Sequence, residues 1–180
     1  PAGRRPPWRK VASWLTPEAQ QRAGRVGAED FVESVPLFWR SQLARVRSKQ
    51  ALKLIRQLGG DNVVGWLKHR SAGKLSALME QLFAWKAELP ECIVLVQVGD
   101  YFEAWGADAV MLVQWGAVNP MARKPRAGFP ATAASLQQAL DNLTGADLSV
   151  AVVVQTGRPG PPHQPREIKQ VVTPGAPTYL

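Results

Sequence analysis

The 180-residue chain has a single cysteine, Cys92, and only two histidines. A lone thiol closes no internal disulfide and builds no thiolate metal cage, so the fold rests on its core and no structural zinc is expected. Long hydrophobic runs are also missing. Stretches such as Ile93–Val96 fall far short of the ~20 apolar residues a spanning helix needs, and no membrane span is expected. No G-x-x-x-x-G-K-[ST] loop occurs: Gly73-Lys74 is followed by Leu75 and lacks the earlier glycine, which argues against nucleotide hydrolysis. Asp100 and Glu103 are a weak pair for metal-assisted hydrolysis, because no lysine nearby completes the set and acids after a strand often cap a helix. His69 and His163 lack a nucleophile-and-acid arrangement. The chain is therefore expected to be non-catalytic, with no metal, no cofactor and no small-molecule substrate.

What is present is positive charge. The formal net charge is +8 and the pI about 10.2, which directs the partner list towards nucleic acid. Residues 1–70 carry fourteen Lys+Arg against five Asp+Glu, residues 71–157 five against eight, and residues 158–180 three against one. The basicity is thus mainly N-terminal. Pro1–Lys10 holds four basic residues and no acid, and no initiating Met precedes it; read as the remnant of an Arg-rich presequence, it favours an organellar location, mitochondrion ahead of chloroplast.

Hydrophobic residues at 46% allow a real core, and fifteen Gly with fifteen Pro imply irregular stretches around it. Residues 1–35 read as a basic, Pro/Gly-broken arm with one short helical candidate at Thr16–Arg25. Residues 36–90 read as a helical extension. Trp39, Leu43, Val46, Leu54 and Leu58 recur at helical spacing, which predicts one helix from Pro36 to Leu58 before Gly59-Gly60. On its other face Arg45, Lys49, Lys53 and Arg56 form a stripe, with Arg40 and Arg47 nearby and no acid in the segment. Like charges at i,i+4 cost roughly 0.2–0.5 kcal/mol per pair, so an unbalanced stripe is suited to an external polyanion such as a phosphate backbone. Asp61-Asn62 starts a short segment through Leu67, and Leu75 to Trp85 makes a further helix ending before Pro90.

Residues 91–157 carry the α/β signal. Ile93–Val98 is a β-branched strand closed by Gly99-Asp100, and a helix is expected from about Tyr101 to Leu112. Trp115–Asn119 is a candidate short strand, Met121–Gly128 a basic loop, Ser135–Leu143 a helix and Leu148–Val154 a strand. The fold class is α/β, a small mixed sheet flanked by helices and preceded by the helical extension and basic arm. Residues 158–180 form a Pro-rich tail in which Ile168–Val172 is a possible edge strand.

Two adjacent aromatics followed by an acid, Tyr101-Phe102-Glu103, form a pattern that stacks on or wedges between bases while the carboxylate contacts a base edge. Phe102 and Trp105 packing a helix onto the sheet explains the same letters. In order and spacing, Glu91–Thr156 resembles the N-terminal mismatch-recognition domain of the MutS family, where a strand runs into G-D-F-Y-E, a helix follows, and an A-G-x-P turn leads to a second helix and strand. The detail is most similar to the plant and algal organellar branch: Phe102-Glu103-Ala104-Trp105-Gly106-Ala107-Asp108-Ala109, Leu112-Val113, Asn119-Pro120, Pro125-Arg126-Ala127-Gly128, Leu143-Thr144, Ser149-Val150 and Pro174-Gly175-Ala176-Pro177.

The resemblance implies that a Phe-any-Glu motif stacks on and hydrogen-bonds to the mispaired base. Tyr101 stands at the Phe place, Phe102 at the middle and Glu103 at the Glu place, an aromatic order reversed from the family's. Arg123, Lys124 and Arg126 would then lie near phosphates. The family's connector and ATPase domains have no counterpart in these residues, so two expectations stand. One is a mismatch-recognition module binding duplex DNA, lacking the ATPase, from an organellar repair-like protein. The other is the same domain reused as a structural rRNA-binding subunit of an organellar ribosome, contacting structured rRNA and other ribonucleoprotein subunits through the arm and the basic stripe.

Overall fold

The computed structural model describes residues 36–55, 58, 76–121, 126–157 and 165–180. The arm over residues 1–35, the segment Asp61–Leu67, both histidines, Arg56, Arg123 and Lys124 lie outside the described residues. The described part is the α/β layer expected: a five-stranded mixed sheet with helices on both faces.

At its centre runs β1 (Cys92–Val98), whose β-branched residues are buried on both faces. It pairs in parallel with β4 (Ser149–Gln155), from Cys92↔Ser149 to Val96↔Val153. On its other side it pairs antiparallel with β2 (Tyr101–Trp105) through a two-residue turn at Gly99-Asp100. Gly99 has φ +59°, a left-handed conformation that a residue without Cβ adopts most readily and that suits such hairpins. The outer strands are β3 (Arg126–Pro130), antiparallel to β2, and β5 (Arg166–Val172), antiparallel to β4, giving the order β3-β2-β1-β4-β5. The sheet therefore runs into the segment read from sequence as a Pro-rich tail.

Three local expectations are corrected. Tyr101–Trp105 is a strand rather than the first turns of a helix, because the tight turn returns the chain directly onto β1. The helix, α4 (Ala107–Gly116), starts only after Gly106, whose φ of +62° redirects the backbone. Trp115 belongs to the last turn of that helix and not to a strand. The strand lies at Arg126–Pro130, where part of a loop was expected, because β2 offers it a pairing edge from Trp105↔Arg126 to Tyr101↔Pro130.

The third correction concerns the single helix over Pro36–Leu58. It is two helices, α1 (Leu37–Ala44) and α2 (Lys49–Ile55), separated at Arg45–Ser48. The Gln114 amide oxygen of α4 accepts the backbone N–H of both Arg47 and Ser48 at 2.8 Å, and the Ser48 hydroxyl accepts the Ala51 N–H at 3.1 Å as a start cap. A tertiary acceptor thus captures two N–H groups that a continuous helix would have bonded internally.

Before the sheet comes α3 (Ala77–Glu88), capped by Ser76; α5 (Ala133–Gly145), capped by Thr132, connects β3 to β4. One core lies between the sheet and α4 and α5 with α1 and α2 behind them, and includes Trp39, Leu54, Ile93, Phe102, Met111 and Leu140. The second lies on the opposite sheet face, where α3 packs Leu82 over Val94, Val96, Trp105, Ala151 and Val153. No helix among the described residues is long and apolar enough to cross a membrane.

A buried ion pair joins the layers. Lys86 Nζ of α3 donates to Asp108 Oδ1 of α4 at 2.8 Å and to the Cys92 carbonyl at 2.7 Å, and lies 4.5 Å from the Trp39 ring centre. Asp108 Oδ2 accepts the Val94 N–H at 3.1 Å. Since β2 pairs with β1 only from Val96 onward, the carboxylate replaces a strand partner there. Burial pushes the Asp108 carboxyl up, and the Lys86 ammonium and the Val94 amide oppose it.

Candidate nucleic-acid interface

Strand alternation sorts the three residues of the candidate motif. Tyr101 and Glu103 point to the α3 side of the sheet, as do their partners Val98 and Val96 on β1. Phe102 points the other way, into the first core, with its ring 5.9 Å from that of Phe129. Phe102, expected from sequence among the base contacts, is 5% exposed and packs the sheet onto the helices, so the structure does not bring it to the surface with the other two. Tyr101 is 49% exposed, at the tip of the hairpin. A phenol ring held there by backbone pairing on both sides, to Val98 and to Pro130, is a rigid apolar platform with a polar tip.

Glu103 is recessed, 6% exposed, on the same face as Tyr101. It faces Gly128 on β3, and a Cβ at that glycine would meet the Phe102 carbonyl oxygen at 2.8 Å and Glu103 Cγ at 3.1 Å. The glycine is what leaves room for the glutamate stem. Burial raises the Glu103 carboxyl above the ordinary glutamate range, and the guanidinium groups of Arg126 and Arg166 pull it back. Arg126 Nη1 is 3.9 Å from Glu103 Oε2. Arg126 thus borders the recessed acid, where sequence reasoning assigned it to phosphate. Arg166 escaped notice in the sequence because it sits in the Pro-rich tail, two residues before the possible edge strand Ile168–Val172.

The basic stripe does not form as one helix face. Arg45 falls in the break: Nη1 donates to Gln42 Oε1 at 2.6 Å, Nη2 to the Ala146 carbonyl at 2.9 Å, and the guanidinium lies 4.8 Å from the Trp115 ring centre. Arg47 Nη1 donates to the Ala44 and Val46 carbonyls, both at 2.9 Å. Both arginines therefore answer carbonyls at helix ends. Lys49 and Lys53 are exposed on α2, and Arg40 is half-buried on α1. Because α2 packs on α4, these lysines lie on the opposite side of the sheet from Tyr101 and Glu103. The structural-RNA expectation drew on that stripe together with the N-terminal arm, and the arm and Arg56 lie outside the described residues. Among the described residues no group of three or more His, Cys, Asp and Glu is placed to hold a metal ion.

The MutS domain I family model matches residues 76–179. Among curated proteins, the DNA mismatch repair protein MSH1, mitochondrial, of Arabidopsis thaliana is 31% identical over 150 residues, which is 78% of this chain and 13% of that protein. The DNA mismatch repair protein MutS of Thermus thermophilus is 32% identical over 128 residues, 65% of this chain and 15% of that protein. MutS of Chlamydia trachomatis is 32% identical over 109 residues, 57% of this chain and 13% of that protein. The chain thus spans 13–15% of the length of these relatives.

Proposed function

The chain belongs to the MutS domain I family, and on that premise we propose that it is a duplex-DNA-binding module that reads mispaired bases, with Tyr101 stacking on the base and Glu103 hydrogen-bonding to its edge. The observation that carries this reading is the pairing, on one sheet face, of an exposed tyrosine at a hairpin tip with a recessed glutamate two residues on. Stacking on an aromatic contributes about 1–3 kcal/mol per base, and a hydrogen bond to a charged group about 1.5–3 kcal/mol. Discrimination falls to Glu103, since any base offers a face to Tyr101 whereas only a displaced base brings its edge to a recessed acid.

The module's role in this reading is recognition, not catalysis. Arg123 and Lys124, with the arm, supply phosphate contacts whose strength falls with salt. The Arabidopsis relative is by name a mitochondrial protein, and together with the basic, acid-free Pro1–Lys10 it supports an organellar location for this chain.

The test is fluorescence anisotropy of the full chain on duplexes that differ only by one mispair. The mispaired duplex should bind roughly tenfold or more tightly, and Glu103→Ala should erase the difference while leaving matched-duplex binding in place. Equal binding of both duplexes by the unaltered chain would sink the reading. Sedimentation from an organelle lysate gives a second check: DNase should release the chain from large complexes, and release by RNase alone would favour the ribonucleoprotein role.

A further inference from the structure

Arg166 stands on β5, three strands away from Glu103 on β2. Its register partner on β4 is Gln155, whose N–H is held by Gln97 Oε1 at 3.0 Å, and Arg166 Nε donates to the Gln97 backbone carbonyl at 2.9 Å. Neighbouring strands are about 4.8 Å apart, so this bond means the side chain has already crossed β4 and placed its guanidinium at β1. Gln97 lies between Val96 and Val98, the partners of Glu103 and Tyr101. Arg126 approaches from the opposite edge, Nη1 at 3.9 Å from Glu103 Oε2. Among the described residues, that face is otherwise lined by Val96, Val98 and Trp105 on the strands, Gly128 opposite, and Leu82 and Trp85 from α3. Tyr101 is the remaining titratable group there, exposed and two residues off. Charge reaches the buried carboxyl from these two arginines, one from each edge of the sheet.

We propose that Arg166 is a positioning residue for the base-reading glutamate: with Arg126 it clamps Glu103 across the sheet and keeps the carboxylate charged and hydrogen-bond-accepting beside Tyr101. The inference rests on the reading of Glu103 as the base-edge contact. It adds a specificity, since an acceptor-only carboxylate takes a mispaired base turned to present an amino or imino N–H, and rejects one presenting only lone pairs. The length of the reach favours arginine, whose forked guanidinium can bond a strand carbonyl with Nε while its terminal nitrogens face the acid. It also gives β5 a part in recognition although that strand lies at the far edge from the hairpin.

The experiment is a carboxyl-carbon NMR titration of the free full-length chain labelled at glutamate, with the Glu103 signal identified by its loss in Glu103→Gln. In Arg166→Gln the Glu103 midpoint should rise by about half a pH unit or more, at least a threefold tighter hold on the proton, while Arg166→Lys, which keeps the charge without the fork, should raise it less. Arg166→Met, which keeps the stem across β4, serves the same titration if Arg166→Gln does not fold. An unmoved midpoint overturns the clamp. In duplex binding at neutral pH, Arg166→Gln should reduce mismatch preference several-fold, and in a Glu103→Gln background it should change nothing further; an equal loss in both backgrounds overturns the positioning role. If the unaltered chain shows no mismatch preference, the recognition reading fails, and the titration still decides separately whether Arg166 sets the charge of Glu103.

Discussion

In the helical extension, Arg45 and Arg47 donate to carbonyls at the ends of helices, whereas on the sheet Arg126 borders one recessed carboxyl and Arg166 crosses β4 towards it from the other edge. Both regions looked ligand-seeking in sequence, the extension by its basic stripe and the sheet by Tyr101-Phe102-Glu103. They differ in what lies within reach of the guanidinium. At a helix end, unpaired carbonyls are the nearest acceptors and are always present, so charge there goes to holding elements together. On a sheet face, side chains stand off the backbone and meet across strands, so charge can gather around a single group and leave a neighbour such as Tyr101 free for a ligand. Position relative to backbone acceptors, rather than sign or number of charges, decides whether an arginine is structural.

The comparison breaks most severely at the ion pair that ties the extension to the sheet. Lys86→Met leaves Asp108 buried without its cation and should cost about 3–5 kcal/mol of stability in urea denaturation. Adding Asp108→Asn, which removes the uncompensated charge and keeps an oxygen for the Val94 N–H, should recover a good part of that loss. A cost below about 1 kcal/mol for Lys86→Met would mean the extension is not anchored there.

Adjacent aromatics on β2 sharpen the contrast between packing and recognition. Phe102→Ala should destabilise the chain by roughly 3–5 kcal/mol, while Tyr101→Ala, at a half-exposed position, should stay within about 0.5 kcal/mol and lose duplex affinity instead. If the two exchange their effects, the register of the hairpin is wrong.

For the arginine in the helix break the expected effect is smaller. Arg45→Met removes bonds to Gln42 and the Ala146 carbonyl and should cost about 1–2 kcal/mol in thermal unfolding, with mismatch preference unchanged. Lost preference at full stability would place the extension in the recognition surface after all.

The smallest effect is a slope with pH. Below the ordinary glutamate range both folded and unfolded chains keep the Glu103 proton, and burial exacts no penalty. As pH rises from there through the raised folded value, the unfolded chain ionises first, so stability falls. Asp108, raised by burial as well, adds a slope of the same sign to every variant and cancels in the comparison. Glu103→Gln should therefore flatten part of the fall in a set of urea titrations across that range, and an unchanged slope would show that Glu103 is solvated.

Much of the fold was legible because its signals are local. The β-branched run at β1 and the apolar spacing of α5 need no partner to be read. The failures share one cause. Tyr101–Trp105 becomes a strand because β1 is there to receive it, and the helix over Pro36–Leu58 breaks because Gln114, some 66 residues on, takes its N–H groups. Of the candidate site, Tyr101 and Glu103 were visible as a motif. The opposite placement of Phe102 followed only once the segment proved to be a strand, where side chains alternate.

The sequence alone determined the α/β class, the basic balance, the order of most elements and the family, since these depend on composition and on periodicities within a few residues. Tertiary structure alone decided which charges are left for a ligand. Arg166 reaches the Gln97 carbonyl of β1 across β4, and Arg45 reaches the Ala146 carbonyl across 101 positions. Electrostatic and hydrogen-bond partners are set by distance in space, which a linear pattern does not contain.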